Sequence, residues 1–190
     1  REAADELVRA QRLGIEGAAG VVAAHQQVAE ASSGVRDAEQ AVMDGKPLGP
    51  LHGVPISIKD LEVTRGIRTT LGCRIFEHTV PELDTIVVER VRQAGAVILG
   101  KTNTPEFGLL GTTENRLGDA CRNPWNRERG TGGSSGGEGV VLATGMSALG
   151  IGTDLGGSIR LPAAFCGVAG LKPTAYRWSN VGSNTAIAGQ

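Results

Sequence analysis

The apolar positions along this chain change their period several times, and each change marks an element. From about Ala3 to Val42 the sequence is rich in Ala, Glu, Gln, Arg and Val and holds no proline, a composition that predicts helix. Gly14 to Gly20 and Ser32 to Gly34 predict interruptions in it. The cluster Gly45-Lys46-Pro47-Leu48-Gly49-Pro50 breaks regular structure. Val54 to Lys59 then alternates apolar and polar positions as a short strand, with Pro55 near its start, where a strand tolerates proline. Leu83, Val87, Val91 and Ala94 recur at helical spacing, Asp84 stands as the predicted N-cap, and Gly95 ends that helix before an apolar strand, Ala96 to Leu99. A further helix from about Glu138 to Ala148 leads into a strand from Leu149 to Thr153. Helices alternating with buried strands predict an α/β fold. The glycine-rich runs Gly130 to Gly139 and Gly150 to Gly157 flank the last helix-strand unit and are predicted as loops at the ends of regular elements, where functional side chains concentrate.

Composition narrows the function classes. A chain of 190 residues with 40% hydrophobic content has the size of one domain with a sizeable core. The 29 glycines fall in clusters without a triplet period, which argues for tight turns and against a collagen-like chain. With 19 basic against 20 acidic residues and 3% aromatics there is neither an electrostatic footprint nor a stacking platform for nucleic acid or an anionic membrane. The expected ligand is small or peptide-like. Cys73, Cys121 and Cys166 are too far apart for a zinc site and form no disulfide framework, so reduced thiols, a cytoplasmic location and no metal or other cofactor are expected. No signal-peptide pattern opens the sequence, and no uninterrupted apolar run is long enough to span a bilayer.

Two motifs match only literally. Gly95 to Thr102 fits the two-glycine, Lys-Thr pattern of a phosphate loop, but its intervening residues are strand formers, whereas phosphate binding needs a flexible backbone that curls around the anion. Gly132-Gly133-Ser134-Ser135-Gly136 fits a nucleophile elbow, yet His25, His52 and His78 all precede Ser134, so a Ser-acid-His order cannot be completed. No serine has a lysine three residues later, which removes the Ser-x-x-Lys arrangement. The histidines read as surface or loop-supporting residues.

What remains is Lys59 at a strand end, serines in a glycine loop, and Gly156-Gly157-Ser158-Ile159-Arg160 after another strand. The blocks Gly49-Pro50-Leu51-His52-Gly53-Val54-Pro55 through Lys59-Asp60, Leu99-Gly100-Lys101-Thr102-Asn103-Thr104-Pro105-Glu106-Phe107 and Arg122-Asn123-Pro124-Trp125 follow one another along the chain. Gly132 to Gly137, Gly152 to Arg160, Pro162 to Gly167 and Gly170-Leu171-Lys172-Pro173-Thr174 come after them. In this order they resemble the amidase signature family. The resemblance implies a mixed β-sheet flanked by helices and a Ser-Ser-Lys triad for amide hydrolysis. On the matching positions Lys59 is the base, Ser134 the bridging serine after a cis peptide bond, and Ser158 the nucleophile that becomes an acyl-ester. It places residues 1–47 as a helical segment of the same domain and 48–190 as a partial catalytic core. Glu138 is a feature shared with the branch that contains fatty acid amide hydrolase.

The residue types suit these roles. A hydroxyl attacks poorly until a base takes its proton, and a lysine is a base only when neutral. Burial that brings a lysine from about 10.4 to about 7 corresponds to about 4–5 kcal/mol of differential solvation. Leu155, Gly156, Gly157 and Ser158 offer consecutive backbone N–H groups as an oxyanion hole. Ser135, Asp154 and Arg160 are expected to support the loops. A glycine loop alone is commonly just a turn, and a strand lysine commonly solvated; their joint order carries the reading.

The family's domain is more than twice this length, so the chain is expected to lack a C-terminal part and to expose a sheet edge and an apolar face. Three readings follow: a hydrolase of small-molecule amides acting without direct nucleic-acid or membrane contact, as a monomer or homo-oligomer; an amidase like the A-subunit of glutamyl-tRNA(Gln) amidotransferase, working with a partner; or a non-catalytic fragment.

Overall fold

The computed structural model describes residues 25–118, 120–175, 177, 179 and 181–183. In chain order the elements are α1 (His25–Met43), β1 (Pro55–Lys59), α2 (Ile86–Gln93), β2 (Val97–Thr102), α3 (Gly136–Ala143), β3 (Leu149–Ile151) and α4 (Arg160–Cys166), with 3-10 turns at Arg74–Phe76 and Glu106–Gly108. The strands form a sheet in the order β2-β1-β3, with both pairings parallel. This is an α/β sheet flanked by helices; the antiparallel member that a mixed sheet requires is not among the described strands.

Helix α1 corrects the break expected at Ser32 to Gly34, because it runs through those residues. Ala31, with Val35 and Ala38 beside it, packs on Val97 and Leu99 of β2, and a Cβ at Gly34 would stand 3.4 Å from Val97 Cγ1. Close packing on the strand outweighs a glycine penalty of about 1 kcal/mol. The other expected break, Gly14 to Gly20, lies outside the described residues.

Two further boundaries differ from the pattern. Thr85, not Asp84, occupies the N-cap position of α2, and Asp84 accepts instead from Arg65 N–H at 2.7 Å and Arg92 Nε at 3.1 Å. The sheet-facing residues are therefore Val88 and Val91, with Val87 partly buried, while Leu83 is 75% exposed ahead of the helix. Helix α3 starts at Gly136 and stops at Ala143, short of Ala148, because Gly145 at φ +71 turns the chain back and Met146 N–H closes onto Val141 O at 2.9 Å. Strand β3 stops at Ile151, since Thr153 N–H turns to Ser135 Oγ at 3.4 Å.

The phosphate-loop pattern lies within the turn into β2 and β2 itself, which pairs with β1 as far as Thr102. One irregularity matters for everything that follows. Ile56 pairs with Ile98 but Ser57 pairs with Gly100, so β2 carries one extra residue, a β-bulge. Before it, Ile98 faces the core of Ile56, Ile58, Ile67, Val88 and Val91, and Val97 and Leu99 face α1. After it the alternation is reversed: Lys101 pairs with Ile58, and Thr102 pairs with Lys59. Among the described residues β2 and β3 are the two edges of the sheet, and at the β3 edge Leu149 is 44% exposed beside a cavity of about 1000 Å³ lined in part by Leu142, Ile151 and Leu155.

Ile58 is fully enclosed at the centre of the core cluster. Truncating Ile58→Ala is expected to lower the unfolding free energy by about 2–5 kcal/mol, read from the shift of the urea midpoint; a loss below about 1 kcal/mol would remove Ile58 from the centre of the core.

Candidate active site

Strand β1 ends by delivering Lys59 into the interior. Its side chain has 0% exposure, and its ammonium donates to Ser134 Oγ at 2.6 Å and to Thr153 Oγ1 at 2.8 Å. Both hydrogen-bond partners are hydroxyls. Burial therefore pushes the amine down to about 7, although Glu62, Glu138 and Asp154 lie near enough to oppose that change through their charge.

Ser134 stands on the loop that leads into α3, after a cis peptide bond from Gly133. That loop is pressed against its neighbours: a Cβ on Gly133 would sit 2.7 Å from Thr112 O and 2.8 Å from Leu110 O. Thr113 Oγ1 donates to Gly132 O at 2.9 Å and accepts from Gly136 N–H at 3.0 Å, so one hydroxyl pins both ends of the turn. Ser135 does not reach Lys59. Its Oγ donates to Thr153 O at 3.2 Å and its N–H donates to Ser158 O at 3.1 Å, which joins the two glycine-rich loops.

Ser158, half-buried, occupies the turn just before α4. Asp154 organises that turn. Its Oδ1 accepts from Gly157 N–H at 2.8 Å and Arg160 Nη2 at 2.9 Å, and its Oδ2 from Ile159 N–H at 3.0 Å, Arg160 N–H at 3.2 Å and Arg160 Nε at 3.0 Å. Burial alone would raise the carboxyl; the Arg160 guanidinium and the N–H groups of Ile159, Gly157 and Arg160 outweigh it and hold Asp154 well below the usual carboxylate range. Of the expected oxyanion donors, the Gly157 amide is thus taken up by Asp154, and the backbone of Leu155, Gly156 and Ser158 remains for that role.

Three groups have surroundings that a reading of the sequence alone does not give. Thr153, the second partner of Lys59, stands out in it only as the end of a strand. Lys101, there only the tail of a false phosphate loop, is fully buried and donates to Glu62 O, to Thr64 Oγ1 at 2.9 Å and to Thr69 Oγ1 at 3.2 Å, with Asp60 Oδ1 3.7 Å away. Burial brings it down to about 8. Glu138 extends from the first turn of α3 into the sheet, where Ser57 Oγ donates to its Oε2 at 2.5 Å and Thr102 Oγ1 to its Oε1 at 2.7 Å. Burial pushes this carboxyl up to about 7. A signal exists in the alternation Ser57/Lys59, two polar residues on one face of a strand; what they meet cannot be read from it. Among the described residues no cluster of three or more His, Cys, Asp or Glu side chains is placed to hold a metal ion.

The sequence profile of the Amidase family matches residues 12–189. The chain belongs to the Amidase family. Among similar proteins, a glutamyl-tRNA(Gln) amidotransferase A-subunit from Methanococcoides burtonii is 50% identical over 143 residues, 75% of this chain and 30% of that protein. A solved structure of a peptide amidase in complex with the competitive inhibitor chymostatin superposes with a TM-score of 0.87 at 33% identity, over 96% of this chain and 38% of that one. The inhibitor-bound form of a vestigial complex that bears on the origins of an s-triazine catabolic enzyme gives 0.88 at 34% identity, over 97% and 40%. This Amidase family chain thus spans about a third of the length of the curated relatives it matches. None of these three relatives is named as a fatty acid amide hydrolase, the branch to which Glu138 pointed. No helix among the described residues is long and apolar enough to cross a membrane, and Cys73, Cys121 and Cys166 are buried and joined in no disulfide.

The buried lysines make a pH prediction with a definite sign. Lys59 and Lys101 release their protons near 7 and 8 in the folded chain but near the ordinary value of 10.5 when unfolded. The unfolded state therefore holds more protons between those limits, and the two lysines' contribution to stability rises with pH from about 7 to about 10, by at most about 1.4 kcal/mol per pH unit for each. Urea unfolding across that range should give a shallower rise for Lys59→Met than for the unaltered protein; identical slopes would mean that Lys59 is charged in the fold.

Proposed function

We propose that this chain is the triad-bearing part of an amide hydrolase that works through an acyl-ester on Ser158. The observation that carries the reading is the enclosed Lys59 amine, pushed down to about 7 and 2.6 Å from Ser134 Oγ. At neutral pH a large fraction of such an amine is unprotonated, and across the same short contact it accepts the hydroxyl proton of Ser134.

Atoms and charge balance at each step. Ser158 Oγ bonds to the amide carbonyl carbon as its proton passes to Ser134 and the Ser134 proton passes to Lys59. The carbonyl electron pair moves onto oxygen, toward the backbone N–H groups of Leu155, Gly156 and Ser158; in comparable sites one such donor is worth about 2.7–4 kcal/mol. As the oxyanion collapses, the C–N bond breaks, and the leaving nitrogen takes a proton from Ser134, which is refilled from Lys59. Water then attacks the ester by the same relay and releases the acid. Ser135 and Thr153 hold the two loops in register, while Asp154 and Arg160 hold the turn of Ser158. No metal or other cofactor enters these steps.

A second reading has its own support, because curated relatives at 45–52% identity are named as the A-subunit of glutamyl-tRNA(Gln) amidotransferase. In it the same acyl-ester forms, and the released ammonia goes to an acceptor held with a partner protein. A copurifying partner separates the two readings, as does the dependence of ammonia release on it. A cytoplasmic enzyme suits both.

A fluorophosphonate probe should label Ser158, and Ser158→Ala should abolish the adduct; a persistent adduct mapped to Ser134 would reverse their roles. Ser134→Ala and Lys59→Ala should each lower amide turnover by about 10²–10⁴-fold with the far-UV circular dichroism unchanged. Near-normal turnover in Lys59→Ala would overturn the lysine-base mechanism.

A further inference from the structure

Of the buried ionisable groups that the mechanism leaves unused, Glu138 is the one whose surroundings tie it to Lys59 by two routes. Ser57, which donates to Oε2, lies two residues before Lys59 on the same face of β1. Thr102, which donates to Oε1, is the cross-strand partner of Lys59 in the ladder. The carboxyl is thus gripped by the neighbour of Lys59 along the strand and by its neighbour across the sheet. The grip is tight from behind as well, since a Cβ at Gly150 on β3 would collide with Glu138 Oε2. Glu138 shares the start of α3 with Ser134, four residues before it, so the helix that positions the bridging serine also carries this acid. An acidic residue at the third position of a helix ordinarily folds back on the N-cap N–H. Here the Ser135 N–H donates to Ser158 O, and the Glu138 carboxyl turns into the sheet.

We propose that Glu138 is a positioning residue for the base: anchored by Ser57 and Thr102, its carboxylate supplies the negative charge that sets the pH range over which Lys59 is neutral. The proposal rests on the amide-hydrolase reading for its relevance to turnover, but its physical content does not. An ionised Glu138 favours the Lys59 ammonium, and a protonated Glu138 favours the free amine, so the two groups titrate as a pair. The other charged groups around them are Lys101 from β2, Asp60 and Glu62 from the chain after β1, and Asp154 from the chain after β3. From α4, packed on α3, the Cys166 thiol faces Gly139, and Arg160 is committed to Asp154. Of these, Glu62 and Asp154 also favour the charged lysine, so Glu138 tunes the base and does not act alone.

The test reads Lys59 directly. In the intact protein, with lysine carbon and nitrogen isotopically labelled, the Lys59 resonance is assigned by its disappearance in Lys59→Met, and its midpoint is followed by NMR from pH 5 to 10. Glu138→Gln should move that midpoint down by about one pH unit or more. The ascending limb of the pH profile of fluorophosphonate labelling at Ser158 should move with it. If Glu138→Gln does not fold, Ser57→Ala decides: removing one donor leaves Glu138 less ionised, and the midpoint should move the same way by a smaller amount. A midpoint that stays put in the folded variant, with stability or rate alone reduced, overturns the proposal and leaves Glu138 a structural residue. Should Ser158 take no label at any pH, the hydrolase reading fails, and the NMR titration still decides whether Glu138 tunes Lys59.

Discussion

An amine buried among hydroxyls, without a carboxylate in bonding contact, is the constraint around which this chain is arranged. An ammonium is stable in such a place only if a counter-charge touches it, and Lys59 touches Ser134 and Thr153 instead. The fold therefore favours the free amine near neutral pH and gives it short polar contacts that specify where its lone pair points. Lys101 shows the contrast within the same sheet. It too is enclosed, but a backbone carbonyl, two threonine hydroxyls and the nearby Asp60 surround it, and its proton is held more firmly than that of Lys59. One lysine braces the chain that follows β1; the other is held by two hydroxyls alone.

The glycine loops follow from the same constraint. To enclose Lys59, two loops from different helix-strand units must meet above a strand end, and there is little room between them. Ser135 N–H reaching Ser158 O, Ser135 Oγ reaching Thr153 O, and the single Asp154 carboxylate gathering three backbone amides and a guanidinium are the joints of that lid. The Asn123-Pro124-Trp125 segment anchors the far end of α4: Asn123 Nδ2 donates to Phe165 O and Trp125 Nε1 to Cys166 O, both at 2.7 Å, so the last carbonyls of that helix are satisfied by side chains.

Much of this is legible in the sequence because it depends on local order. The alternation of Val54 to Lys59, the breaker before it and the glycine runs after the later elements locate the strands and loops without reference to anything distant. Helix limits are less legible: the continuation of α1 through Gly34 depends on Val97, and the switch of cap from Asp84 to Thr85 depends on Arg65 and Arg92. The polar layer beneath the site is least legible. Glu138 meets Ser57 across 81 positions of the chain, and no spacing rule connects them. Thr153 escapes notice for the same reason, its partner lying 94 positions away.

The extra residue of β2 makes the sorting of side chains in this sheet a matter of register. Two compartments lie on either side of the sheet, one oily and braced by Lys101, the other carrying Val97 and Leu99 against α1 and, further along, Lys59, Thr102 and Glu138, and a single unpaired position decides which side chain is sorted into which. Substitutions in Val97–Thr102 alter one contact at a time. Closing the bulge with the count unchanged would set Leu99 opposite Ser57 and Lys101 opposite Lys59, sending an ammonium toward the acid, whereas loss of the unpaired residue itself would straighten the strand and leave Gly100, Lys101 and Thr102 on their present partners. Gene variants that shorten this strand at Leu99 should therefore keep the same side chains on the same faces, since it is register and not length that the segment must preserve.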